Sequence, residues 1–185
     1  MRRTLYSLAV LLGFASAADE PKVPLELQTE LVAKVVKYDR NFAARSGTSV
    51  VGLIVYRTEN ASSERVGRQL LSLLGGVDKI GGLPHSEALI AFTSVDKLLA
   101  EIKDKHATMI YFAPGFEEEA PRLAAGLAGV DCLSISTTPR GAEAGFVLGF
   151  DLVAGHPLIL VQLEQARKQN ADFRSEILRI SKVLP

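Results

Sequence analysis

Short runs that are apolar almost throughout alternate along this chain with longer stretches that are apolar only at every third or fourth position. From Leu25 to Arg45, Leu27, Leu31, Val35, Tyr38 and Phe42 recur on one helical face, and Glu30 and Lys34 form an i,i+4 pair on another; Gly47 stops the helix. Ser49–Tyr56 (SVVGLIVY) has the continuous apolar character of a strand covered on both faces. A helix over Ser62–Leu74 turns Val66, Leu70, Leu73 and Leu74 inward and ends at Gly75-Gly76, and Asp78–Leu83 reads as a short strand. Glu87–Phe92 is a second apolar run. Ser94 then caps a helix to about Lys105, with Val95, Leu98, Leu99 and Ile102 inward. Thr108–Phe112 and Val130–Ser136 read as buried strands on either side of a helix over Glu117–Leu127, and Pro139–Gly145 reads as a polar loop. Phe146–Val153 and Leu158–Leu163 read as antiparallel strands about the turn Ala154–Pro157. The last helix is expected to start at Asp172, with Phe173, Ile177, Ile180 and Leu184 as its stripe. This alternation predicts an α/β fold, a three-layer α/β/α sandwich with a mixed, partly parallel sheet.

The first residues break that rhythm. Arg2 and Arg3 precede a short apolar run from Leu5 to Phe14, Ala15-Ser16-Ala17 offers a small-x-small cleavage site, and Asp19, Glu20 and Pro21 open a polar stretch. The run is shorter than the roughly 20 residues of a membrane span. Residues 1–17 are therefore expected to be a secretory signal peptide and 25–185 a single domain working outside the cytoplasm, in the periplasm or, alternatively, the medium. The chain is 48% hydrophobic and 23% charged, a globular composition. Its 21 basic residues are matched by 21 acidic ones, leaving no cationic excess to hold a nucleic acid. After cleavage no run is long enough for direct membrane insertion. The lone Cys132 cannot form an internal disulfide and reads as a small core residue.

Catalytic signals are weak throughout. His85, His106 and His156 lack ligand spacing, and His85 and His156 sit in turn-like contexts. There is no Gly-x-Ser-x-Gly elbow and no phosphate-cradling Gly-rich loop ending in Lys. The run Glu117-Glu118-Glu119 reads as the solvated, acidic start of a helix. No catalytic, cofactor-binding or metal-binding residue is assigned, and a protein that is not an enzyme is expected. Two polar clusters stand out instead. Tyr38-Asp39-Arg40-Asn41 interrupts the first helix on all sides, and Gln169–Arg174 does the same near the C-terminus. They read either as a solvated face and a helix cap or as a docking surface or small-ligand site. In the second reading Tyr38, Asp39, Arg40, Asn41, Asn170 and Arg174 form the surface, and Arg40 and Arg174 hold an anion.

From Gly145 onward, AGFVLGFDLVAGHPLILVQLEQARKQNADFRSEILRISKV resembles the end of the YfiR (HmsC) family of exported regulators. Helix Leu27–Phe42, strand GLIVY and the turn Gly81-Gly82-Leu83-Pro84 stand where that family has its opening helix, first strand and glycine-containing turn. The resemblance implies a periplasmic α/β protein, often dimeric, that acts by binding. Its best-known members restrain a membrane-bound diguanylate cyclase through the cyclase's periplasmic part. This chain departs from the family pattern at Tyr38–Asn41, where an aromatic-Pro end is expected, and in having a single cysteine. The expected function is thus a non-enzymatic regulator of a membrane-anchored signalling protein such as a diguanylate cyclase or sensor kinase, with a homodimer possible and no cofactor. The alternative is a solute-binding component of a transport or receptor system, using the strand ends of the sheet.

Overall fold

The computed structural model describes residues 20–185, so the expected signal peptide over 1–17 lies outside the described residues. Seven strands form one sheet in the order β2-β1-β3-β4-β5-β6-β7. They are β1 Val50–Tyr56, β2 His85–Ala91, β3 Met109–Phe112, β4 Leu133–Ser136, β5 Leu148–Val153, β6 His156–Gln162 and β7 Ser181–Leu184. Every neighbouring pair is parallel except β5 and β6. The fold class is the α/β arrangement with a mixed, mostly parallel sheet that the sequence predicts.

Helices α1 (Leu25–Val35) and α3 (Ala61–Leu74) cover one face, where Val32, Val35, Val66 and Leu70 pack on Val50, Ile54, Met109 and Ile135. Helices α4 (Val95–Asp104) and α5 (Ala120–Leu127) cover the other, where Leu98, Ile102, Leu123 and Leu127 pack on Leu53, Val55, Ile110 and Phe112. Phe112 stacks on Phe146 at 4.0 Å between ring centres, and Phe116 meets Phe112 edge-on at 5.4 Å. The caps of α3 and α4 are local and legible in sequence: Asn60 accepts from the Ser63 amide and Ser94 from the Lys97 amide.

Four expectations are corrected. The helix foreseen over Leu25–Arg45 stops at Val35, continues as a 3-10 turn over Val36–Tyr38, and resumes as the short α2 (Phe42–Ser46). Asp39 between them is extended, because its side chain and backbone bond elsewhere. Asp78–Leu83 is a turn closed by a bridge between Ile80 and Leu83, not a strand. Gly81 in that turn has φ +64°, and a Cβ there would lie 2.2 Å from the Phe42 ring. Pro139–Gly145 is largely helical (α6, Pro139–Glu143), with Pro at its first position and Thr138 capping the Gly141 amide. The final segment is not one helix: α7 (Leu163–Lys168) and α8 (Ser175–Arg179) are separated by an extended stretch, and the stripe residue Leu184 lies in β7. Asp172 caps nothing. Ile180 is exposed, and Leu184 packs with Ala142 and Leu160.

The central join of the sheet depends on a glutamine. β4 and β5 share the single register pair Ile135–Leu148. Gln169, fully buried, accepts from the Ser134 amide through Oε1 and donates to Ser134 Oγ through Nε2, each at 3.0 Å. Ser134 Oγ in turn accepts from the Val147 amide. The amide group of a side chain thus stands in for a missing rung between strands. Gln169→Leu should leave the Ser134 N–H without a partner and cost about 1–3 kcal/mol, measured by urea denaturation; a change near zero would show that the wedge is dispensable. Burial pushes the Cys132 thiol far above its ordinary range, with Arg45 opposing the shift. In the native protein Cys132 should resist a thiol reagent at pH 8 and react at the rate of global unfolding; fast labelling would contradict that burial.

Candidate functional site

The two polar clusters foreseen at opposite ends of the chain meet in one seam. Asp39 lies opposite Phe173 in an isolated antiparallel bridge. The Arg40 amide donates to the Asp172 carbonyl at 2.9 Å, and the Arg174 amide donates to the Tyr38 carbonyl at 2.8 Å. Side chains alternate across such a bridge. Asp39 and Phe173 therefore point into the protein, and Tyr38, Arg40, Asp172 and Arg174 point out together. Burial follows that rule: Asp39 and Phe173 are buried and the other four are exposed.

Beneath the seam Asp39 is a hub. Its Oδ1 accepts from the Asn41 and Asp172 amides, at 3.0 and 2.8 Å. Its Oδ2 accepts from Arg45 Nη1 at 2.8 Å. Arg45 spends its remaining donors on Asp131 Oδ1 (from Nε, 2.7 Å) and on the Asn170 carbonyl (from Nη2, 3.0 Å). The side chains of this pair are 1% and 0% exposed. The buried charge is thus paired and hydrogen-bonded on all sides, the condition for keeping an ion pair out of water. Asn41 Nδ2 donates to the Asn170 carbonyl, and Asn170 takes a left-handed φ of 56°, which asparagine tolerates.

On the outer face Arg40 grips both oxygens of Asp172 at 2.9 Å, in a pair more than half exposed to solvent. The guanidinium expected to hold an anion with Arg174 is therefore already engaged by a carboxylate of the chain itself. Beside the seam a groove of about 280 Å³ runs between Asn41, Leu163, Arg167, Asn170, Phe173 and Leu178. Of the six residues expected to form a surface, Tyr38, Arg40, Asn170 and Arg174 are exposed, Asn41 is half-buried, and Asp39 is buried beneath them; Arg45 and Asp131, which hold Asp39 and Asn170 in place, were not foreseen. Asp172 stood inside the C-terminal cluster as an expected cap, whereas nothing local marks Arg45 as the partner of Asp39 and Asp131.

The strand order places the fold's topological switch at the carboxyl ends of β1 and β3, where α/β sheets take ligands. Here that crevice is filled from within. Arg57, following β1, lies 4.5 Å over the Phe116 ring and 5.6 Å from Phe92. It donates to the Gly115 carbonyl and to Glu119. Glu117 accepts from the Gly115 amide at 2.9 Å and from the Thr138 hydroxyl at 2.8 Å, tying the loop after β3 to the end of β4. The acidic run foreseen as a solvated helix start is thus mostly a latch, because two of its carboxylates find donors across the strand ends.

His85, expected in a loop, begins β2 and is nearly buried. Its Nε2 lies 2.7 Å from the Val77 carbonyl, and its Nδ1 lies 2.7 Å from Glu87 Oε1. The nearby Tyr111 hydroxyl is buried without a hydrogen-bond partner among the described residues; burial first, and the Glu87 charge second, hold it protonated. Among the described residues no group of three or more His, Cys, Asp or Glu side chains is arranged to hold a metal ion. No described helix is long and apolar enough to cross a membrane.

In fold, the chain is similar to a conserved domain protein of Vibrio cholerae O1 biovar El Tor (TM-score 0.60, 12% identity, 88% of this chain and 60% of that one). It is also similar to the ABC domain in complex with L-Trp from Streptococcus pneumonia (0.60, 9%, 88% and 62%). A third likeness is to the ligand-free, open structure of CD0873, a substrate binding protein with adhesive properties from Clostridium difficile (0.56, 9%, 88% and 60%). The chain spans about 60% of the length of these structures, and identities this low speak for fold alone. No curated protein matches the sequence. Residues 26–182, almost all of the described chain, match the YfiR/HmsC-like family, and the protein belongs to that family.

Proposed function

We propose that the protein is an exported, non-catalytic regulator that binds a membrane-anchored signalling protein, such as a diguanylate cyclase or a sensor kinase, through the face formed by Tyr38, Arg40, Asp172 and Arg174. Membership of the YfiR/HmsC-like family supports the regulatory and periplasmic reading. The observation that carries the surface is the contrast across the Asp39–Phe173 bridge. A fully buried, saturated ion pair on the inner side holds a tyrosine and two arginines on the outer side. Tyr and Arg are the residue types that dominate binding energy at protein interfaces. A face presented from a fixed bridge also loses little freedom when a partner docks.

Binding a solute is the second reading. In its favour are the likeness to the substrate binding protein and to the L-Trp complex, and the groove of about 280 Å³ beside the seam. Against it stands the crevice at the strand ends, which Arg57, Glu117 and Glu119 already occupy. The protein-binding reading is therefore preferred.

Immobilised protein incubated with solubilised membranes of the source cell should retain a signalling protein with a periplasmic sensor part. Tyr38→Ala combined with Arg174→Glu should lower that retention at least about tenfold, the effect of losing one hot spot, with little change in melting temperature. Capture of no membrane protein at any salt concentration would sink the proposal. The support beneath the face is tested separately. Asp39→Ala leaves the Arg45 charge buried without its buried partner and should cost about 3–5 kcal/mol in urea denaturation. Breaking the exposed pair with Arg40→Ala should cost no more than about 1 kcal/mol; equal losses would contradict the hub assigned to Asp39.

A further inference from the structure

The seam leaves one cation unanswered. Arg167, in the last turn of α7, is exposed, and among the described residues its guanidinium meets no carboxylate or carbonyl. The acid one turn back on the same helix, Glu164, is already paired with Lys168 at 2.7 Å. Asp172, the acid on the seam, has both oxygens held by Arg40. Glu176 accepts from its neighbour Ser175 and lies in the field of Arg174 and Arg179. From Arg167 to Arg179, with Arg40 across the seam, four guanidiniums thus answer to the two carboxylates of Asp172 and Glu176. The chain as a whole balances 21 bases against 21 acids, so this excess is local.

Arg167 lines the groove of about 280 Å³ beside the seam, together with Leu163, Phe173 and Leu178. Phe173 is buried and the two leucines are half-buried, so an apolar floor lies next to the unpaired guanidinium. Asn170, also in the lining, is held by Asn41 and Arg45 through its carbonyl. The volume falls just short of the about 300–1,000 Å³ of pockets that enclose a small molecule. A groove of that size takes one anchoring side chain rather than a whole solute.

We propose that this groove receives an acidic segment of the partner protein, with a leucine or phenylalanine side chain on Leu163, Phe173 and Leu178 and a neighbouring aspartate or glutamate on Arg167. The planar fork of arginine donates two parallel N–H bonds to one carboxylate, which gives the contact direction as well as strength. Arg174, one residue beyond Phe173 on the outer side of the bridge, offers a second guanidinium to a second acid of the segment. Arg167 has no internal ion pair to break before it binds. Charge also rejects the other occupants. A basic segment would meet like charge, and an uncharged one would cover Arg167 without pairing it. The inference rests on the reading of the Tyr38–Arg174 face as a partner surface, and adds the chemistry of the segment that docks there.

A fluorescent peptide of alternating glutamate and leucine is the probe, with a glutamine–leucine and a glutamate–serine peptide as controls. Its anisotropy should rise saturably with the wild-type protein, and the affinity should fall as salt is raised. Each control should bind at least about tenfold more weakly, and so should the probe to Arg167→Glu. The variant should keep the wild-type melting temperature, because the side chain has no partner to lose. Absence of saturable binding by the probe overturns the proposal, as does equal binding of the glutamine control or equal binding by the variant. If the variant fails to fold, the two control peptides on the wild type decide. The same variant separates this inference from the reading beneath it. Retention of a membrane signalling protein by wild type and Arg167→Glu alike leaves the face standing as a partner surface and overturns the groove's part in it; retention by neither overturns both.

Discussion

The buried pair of Asp39 and Arg45 is the constraint on which the ends of this fold depend. Neither side chain reaches water, and one carboxylate and one guanidinium together serve three backbone groups and a second acid, Asp131. Losing either partner would strand a charge, so the bridge Asp39–Phe173 and the entry to β4 are held to one geometry. The same commitment explains why the first helix breaks where it does. An unbroken helix would keep the Asp39 backbone in its own hydrogen-bond ladder and turn the carboxylate away from Asp172.

The sheet then divides into a part that was legible and a part that was not. β1, α3, α4 and the β5–β6 hairpin follow from local signals: a continuous apolar run, amphipathic spacing, and the side-chain caps Asn60 and Ser94. Each answers to a period or a cap within one segment. The failures share the opposite character. Asp39 leaves the helix for Asp172, more than 130 residues along the chain. Gln169 reads as one more polar residue of a C-terminal cluster, yet it is fully buried between strands because Ser134 offers it both an amide and a hydroxyl. α6 was missed because a five-residue helix has too little length to show a period. The two polar clusters were visible as anomalies in the pattern. That they bond to each other was not, since complementarity between distant segments leaves no trace in the spacing of either.

The acidic run after β3 shows the same limit at the place where this fold class takes ligands. Glu117, Glu118 and Glu119 look alike in sequence, and a helix start is a sufficient reason for them. In the folded chain Glu117 bridges Gly115 and Thr138, and Glu119 pairs with Arg57, whose guanidinium rests on Phe116. The ends of β1, β3 and β4 are thereby tied to one another by the protein's own groups. A solute entering there would have to displace a carboxylate from arginine and break a hydroxyl–carboxylate bond, with only its differential affinity to offset both.

That closure bears on where a small α/β domain of this kind can meet another molecule. With the strand ends latched, the Tyr38–Arg174 face is offered on the outside, held above the buried pair by the Asp39–Phe173 bridge.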